Sequence, residues 1–287
     1  MANYQIITDS GSDLPKEKLQ QLGIIAVPLL VNLGEKTLED SVDEGIKEMY
    51  DAFRAGAAAS TSAINPDRWE KAIEPVLEGG EDVLVIAFSS GLSTTYQSAV
   101  IASQELTQRY PERTVKVVDS LCASLGQGLL VWYAAQKRQQ GLSLQELQDW
   151  LEKAKYQLCH WFTVDDLAFL KRGGRVSATT ALVGTMLKIK PVLHVDDEGH
   201  LISKAKVRGR KASLDMLFEK TRELAIPGEN DVMYICHGDC LEDAQYLEAR
   251  LKKELGVKEV LIGYTGAVIG SHSGPGTLAV FFLGTNR

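Results

Sequence analysis

Short apolar runs alternate with amphipathic stretches along almost the whole chain, and this alternation is what most restricts its fold. Parallel strands need a crossover between them, so strand-length apolar segments linked by helices favour a largely parallel sheet. Strands are expected over 4–8, 24–31, 83–88 and 114–118. Helices are expected over 15–22, 43–55, 66–77, 95–109, 124–140 and 143–157. Asn65 ahead of Pro66 is a helix start, because Asn caps free N–H groups and proline at the first position sacrifices none that is used. The second half reads differently. Strands over 191–195 and 201–207 flank the polar turn Asp196-Asp197-Glu198-Gly199-His200, which predicts an antiparallel hairpin. Helices over 211–224 and 241–255 then alternate with strands over 232–236, 259–263 and 277–283. Two α/β lobes are expected, over 1–160 and 161–287.

Composition narrows the function classes. The 287 residues are 45% hydrophobic and 24% charged, enough for a sizeable core. No run of about 18 uncharged apolar residues is present, and the N-terminal residues lack signal-peptide character, so a cytoplasmic protein is expected. A formal net charge of −7 argues against nucleic-acid binding. Cys122, Cys159, Cys236 and Cys240 have no disulfide framework or zinc-like spacing, and Cys236-His237-Gly238-Asp239-Cys240 reads as a strand running into a turn.

Three hydroxyl-rich segments lie beside expected strands or helices: Thr8-Asp9-Ser10-Gly11-Ser12-Asp13, Ser60-Thr61-Ser62, and Ser89-Ser90-Gly91-Leu92-Ser93-Thr94-Thr95. In parallel α/β sheets ligands gather at such strand ends. Gly91-Leu92-Ser93 resembles a nucleophile elbow, but Thr95 stands where the second glycine belongs. No GxxxxGK[ST] or complete GxGxxG motif is present, so no nucleotide or other cofactor is expected. Gly266, Gly270, Gly274, Gly276 and Pro275 frame His272 in what reads as a shaped loop. From Lys171 to Pro191 there are five basic residues (Lys171, Arg172, Arg175, Lys188, Lys190) and no acidic one, which is either a solvated face or a docking surface.

Together, these segments resemble the DegV family of bacterial fatty-acid-binding proteins. The landmarks are Thr8-Asp9-Ser10, Ser60-Thr61-Ser62, the segment from Phe88 to Tyr96, Leu170-Lys171-Arg172-Gly173-Gly174-Arg175, Lys190-Pro191, Lys206-Val207-Arg208 and His272-Ser273-Gly274-Pro275-Gly276. The resemblance implies a two-lobed α/β fold, mostly parallel in the first lobe and mixed in the second, with one long-chain fatty acid in a tunnel between them. It implies a carrier rather than an enzyme. The carrier would present its cargo to a separate fatty acid kinase that makes acyl-phosphate for phospholipid synthesis, with transient membrane contact. Thr61, Ser93, His272 and Arg208 match the residues that hold the carboxylate, with Arg210 competing for the role of Arg208. Lys171, Arg172, Arg175, Lys188 and Lys190 are the candidate docking residues. The alternative is a serine hydrolase acting on acyl substrates through Ser93 and His272.

Overall fold

A computed structural model of the chain describes residues 4–176 and 189–287. The apolar N-terminal run forms β1 (Tyr4–Asp9), the buried centre of a four-stranded parallel sheet with β2 (Ile24–Val27), β6 (Asp82–Ala87) and β7 (Val115–Asp119), in the order β2-β1-β6-β7. Around it lie α1 (Lys16–Leu22), α3 (Pro66–Glu78), α4 (Thr95–Arg109), α5 (Leu125–Gln139) and α6 (Leu144–Ala154). Asn65 caps α3 through the Arg68 N–H at 3.0 Å, as expected from the Asn-Pro start.

The strand expected over 24–31 is in fact two strands in different sheets. Pro28 has no N–H to give to a ladder, and the N–H of Leu29 goes to Ser10 Oγ at 2.9 Å. Beyond this break, β3 (Leu30–Leu33) joins β4 (Lys36–Glu39) and β5 (Ala59–Ser62) in a small antiparallel sheet, with α2 (Ile46–Arg54) between β4 and β5 in the chain. The Ser60-Thr61-Ser62 segment is therefore a strand, not a loop.

A six-stranded sheet forms the rest of the molecule, in the order β10-β9-β8-β13-β11-β12. Its strands are β8 (Leu158–Thr163), β9 (Ile189–Val195), β10 (Leu201–Arg208), β11 (Val232–His237), β12 (Glu259–Tyr264) and β13 (Leu278–Leu283). Only β11 and β12 run parallel; the β9–β10 hairpin is antiparallel, as read from its turn. The sheet is accompanied by α7 (Leu167–Arg172), α8 (Arg210–Leu224), α9 (Leu241–Leu255) and α10 (Ala267–Ser273). A division between residues 160 and 161 would cut β8. Helix α5 packs between the two large sheets, and one core cluster joins Ile6, Leu84 and Ile86 of the first to Phe162, Tyr234 and Phe281 of the second through Leu125, Leu129 and Leu130. Among the described residues, no helix is long and apolar enough to cross a membrane.

Carboxylates reinforce that apolar contact. Asp9 accepts from the Phe88 and Gly11 N–H groups at 2.7 and 3.0 Å, and burial pushes its carboxyl up to about 7. Asp40 accepts from Ser10 Oγ at 2.8 Å and, across to α10, from the Val268 N–H at 3.0 Å; burial pushes it up to about 6. Asp13 accepts from Ser124 Oγ, while its Oδ1 has no hydrogen-bond partner among the described residues. Burial, then the neighbouring Asp40, raises the Asp13 carboxyl well above the usual range, which favours its neutral form.

A carboxyl with a raised folded pKa holds a proton that the unfolded chain has lost. Its stabilisation is therefore present at low pH and is lost as pH rises through the folded value. Buried neutral histidines act in the opposite direction below about pH 6.5. The Asp13 share is consequently the difference between wild type and Asp13→Asn. Denaturant unfolding between pH 5 and 8 should show wild type losing stability more steeply than the variant, by up to about 1.4 kcal/mol per pH unit. Parallel curves would contradict the assignment.

Candidate functional site

The loops after β2, β6 and β7, the strand β5 and the short helix α10 converge on the inner face of the six-stranded sheet. They enclose a cavity of about 460 Å³. Its far wall is apolar and aromatic, with Phe162 on β8, Ala279 and Phe281 on β13, and Val195 and Leu201 from the β9–β10 hairpin. The tip of that hairpin closes against the loop carrying Ser93: Ser89 Oγ donates to the Gly199 carbonyl at 3.0 Å. Gly91 leaves room for the turn, since a Cβ there would lie 2.7 Å from the Glu198 carbonyl oxygen.

Polar groups are concentrated on the opposite wall. Thr61 projects from β5, where it pairs with Val31, and its Oγ1 lies 2.8 Å from His272 Nε2. His272 stands on α10; the segment expected to be a glycine-shaped loop is helical from Ala267 to Ser273. Burial, then the positive charges of Arg175 and Arg172, lowers the His272 pKa to about 4, so the ring is neutral at pH 7. Ser93 also lines the cavity. Its Oγ accepts the Thr95 N–H at 3.2 Å and lies 2.9 Å from Thr95 Oγ1, at the start of α4. Ser93 and His272 are thus each engaged with a different hydroxyl. No carboxylate hydrogen-bonds the His272 ring among the described residues, so the geometry lacks the relay that a serine hydrolase requires.

Arg175 is the one ionised side chain among the described residues that line the cavity; the lining histidines, the buried His160 and the half-buried His272, are neutral. Its Nη1 donates to the Gly173 carbonyl at 2.5 Å and its Nε to the Leu92 carbonyl at 3.3 Å, fixing it between the end of α7 and the Ser93 loop. The sequence reading placed Arg175 on a docking surface and gave the cavity cation to Arg208. Arg208 is instead exposed at the end of β10, paired with Ile189, and is not among the described lining residues. Arg210 is also directed elsewhere, to Asp243 at 2.8 Å and Asp165 at 3.6 Å.

The other basic residues diverge. Lys171 and Arg172 are exposed at the end of α7, with the Arg172 guanidinium 4.7 Å from the Phe169 ring centroid. Lys190 pairs with Asp165 at 2.6 Å, and Lys188 lies outside the described residues. Two lining hydroxyls, Thr265 Oγ1 and Ser273 Oγ, are buried without a partner among the described residues. The sequence reading did not select either, although Ser273 adjoins His272 in the glycine-rich segment.

The arrangement suits an anion with an apolar body: one fixed cation, hydroxyls and a neutral imidazole at one side, aromatic and aliphatic walls at the other. Gly173 makes it possible, because a methyl group at that position would overlap His272 Nδ1. Gly173→Ala should displace the imidazole from Thr61 while leaving the two sheets intact. Histidine NMR should show a shifted His272 signal with little change in Tm; an unchanged signal would contradict this packing.

A family model described as an uncharacterised protein of the DegV family matches residues 3–285. The chain is 45% identical to a DegV domain-containing protein of Clostridium perfringens, covering 100% of this chain and 99% of that protein. A solved structure concerned with fatty acid binding by a DegV family protein from Thermus thermophilus superposes with a TM-score of 0.87 at 34% identity, over 97% of this chain and 98% of that one. The Streptococcus pneumoniae fatty acid kinase B3 protein, solved loaded with linoleic acid, superposes with a TM-score of 0.85 over 99% of both chains; at 22% identity that likeness speaks for the fold alone.

Proposed function

The chain belongs to the DegV family, and on that footing we propose that it binds one long-chain fatty acid, carboxylate towards Arg175, Thr61, Ser93 and His272. The observation that carries this reading is that Arg175 is the one ionised side chain among the described residues lining a cavity with an otherwise uncharged polar wall and an apolar wall. Burying a sixteen-carbon tail contributes on the order of 12 kcal/mol gross, at about 0.8 kcal/mol per methylene, before association costs. A carboxylate drawn inward costs several kcal/mol unless a cation and hydrogen-bond donors receive it. Arg175 and the surrounding hydroxyls meet that need, and no nucleophile is involved. The fatty-acid binding named for the Thermus thermophilus relative supports the same assignment.

Mass spectrometry of lipid extracted from the purified protein should find a long-chain fatty acid at about one per chain. Neither co-purified nor loaded acid would end this reading. Arg175→Gln should weaken retention on the order of tenfold to a hundredfold, from the loss of a charged hydrogen bond. Arg208→Gln should leave it unchanged. Thr61→Ala and Ser93→Ala should each cost about 1–3 kcal/mol. Weakened retention in Arg208→Gln with no weakening in Arg175→Gln would restore the Arg208 assignment, and equal retention by both variants would end the role given to Arg175.

The finer reading is that the carrier offers its cargo to a separate fatty acid kinase, docking through the exposed end of α7. Lys171 and Arg172 are exposed there, one to two residues from the Gly173–His272 contact. Reversing both to Glu should slow kinase-dependent acyl-phosphate formation while tail retention stays intact. The defect should shrink as salt rises, because exposed charges are screened within about 8–10 Å. An unaffected rate at low salt would remove this surface from the proposal.

A further inference from the structure

A second cavity, of about 290 Å³, lies on the other side of β8, between the β8–β9–β10 part of the sheet and α8. Trp161 and His194, paired across β8 and β9, form part of its wall, with ring centroids 4.6 Å apart and planes at 26°. Both residues are buried, at 5% and 2% exposure. Lys204, Lys220 and Arg287 also line it, and no acidic residue does so among the described residues. Lys220 is partly neutralised by Glu223 at 2.6 Å and lies 5.6 Å from the Trp161 ring centroid.

The hydrogen bonds of this wall are incomplete in a specific way. His194 Nδ1 donates to the His160 carbonyl at 3.0 Å, so in the neutral ring Nε2 is a lone-pair acceptor. That Nε2 is buried and has no donor among the described residues. The Trp161 Nε1–H is buried and has no acceptor. Arg287 spends Nη2 on the Leu121 carbonyl, leaving Nε and Nη1 buried and unpaired. Buried polar groups are ordinarily satisfied, and four such atoms on residues around one cavity ask for a guest that both accepts and donates.

We propose that this cavity binds a hydrogenphosphate group, its ionised oxygens accepting from Trp161 Nε1 and Arg287 and its P–OH donating to His194 Nε2. Sulfate and carboxylates, fully ionised at neutral pH, bring acceptors but no donor. Burial lowers the His194 pKa to about 4, which keeps Nε2 an acceptor at pH 7. Lys204 and Lys220 add positive field without competing for the same lone pairs. Inorganic phosphate keeps a P–OH at neutral pH, whereas a phosphomonoester, whose second pKa is about 6, has mostly lost its own and offers acceptors alone, so the two are compared.

Calorimetric titration of the full chain at pH 7.5 compares sodium phosphate, methyl phosphate and sodium sulfate at matched ionic strength. Phosphate is expected to bind saturably and at least about tenfold tighter than sulfate, the discrimination of a buried donor–acceptor match. Methyl phosphate, mostly dianionic at this pH, should bind as weakly as sulfate; binding equal to that of inorganic phosphate would contradict the role given to the P–OH. Trp161→Phe keeps the ring and removes the N–H, and should weaken phosphate roughly tenfold. Lys204→Gln, at an exposed position, should weaken it about two- to threefold, with no threat to folding. In the wild-type ¹H–¹⁵N spectrum, phosphate should shift one indole resonance, the one missing from Trp161→Phe. No saturable binding, equal affinity for sulfate, or an indole spectrum untouched by phosphate would each overturn the proposal.

Discussion

The hydrogen bond from the Val268 N–H to Asp40 is the contact on which the site depends. Asp40 lies in the loop after β4, is steadied by Ser10, and reaches the first turn of α10. Tyr50 of α2 reinforces the same approach through the Thr265 carbonyl at 2.8 Å. These two bonds hold the short helix that carries His272 against the strand that carries Thr61. A seven-residue helix has little stability of its own, so its position is a tertiary property. The carboxylate required for this anchoring lies beside Asp13 and near Asp9, and the raised pKa values of all three follow from placing acids in a dry interface.

Much of the architecture was legible because most elements obey one periodicity. The parallel strands, the hairpin and the helices with clear caps appear close to their expected places. The misses share a cause. β8 contains Cys159, His160, Trp161 and Thr163 and is buried on both faces, so neither alternation nor an apolar run marks it. The small sheet is built from short, partly exposed strands: β3 and β4 form a local hairpin, and β5 joins them only through pairs some 26–32 residues apart in the chain. α10 was obscured by its own glycines, which signal a loop until tertiary contacts hold the helix.

The polar side of the cavity was partly legible too. Thr61, Ser93 and His272 were selected from hydroxyl-rich and glycine-framed segments, and all three line the same space. Basic residues look alike in sequence, so Arg175, which lines the cavity, is not distinguishable there from Arg208, which is not among the described lining residues. What separates Arg175 from Arg208 is the direction of the side chain: one bends back over Gly173 to the Leu92 carbonyl, the other ends an edge strand in solvent. Asp13 lies in a segment the sequence already singled out, whereas Asp40 carried no signal, since a lone aspartate beside a turn is ordinarily a cap.

If the cavity holds a fatty acid as proposed, Arg175, the one ionised lining side chain among the described residues, would let it choose its contents without relying on fit. A carboxylate cancels its charge, whereas an ester, alcohol or alkane of equal length fills the apolar walls equally well but leaves the guanidinium covered and unneutralised. Discrimination then comes from the penalty imposed on the wrong cargo, and it holds however well the tail packs. On the proposed reading, such a filter would be indifferent to chain length and strict about the head group, so a varied pool of acids would be admitted while neutral lipids were refused.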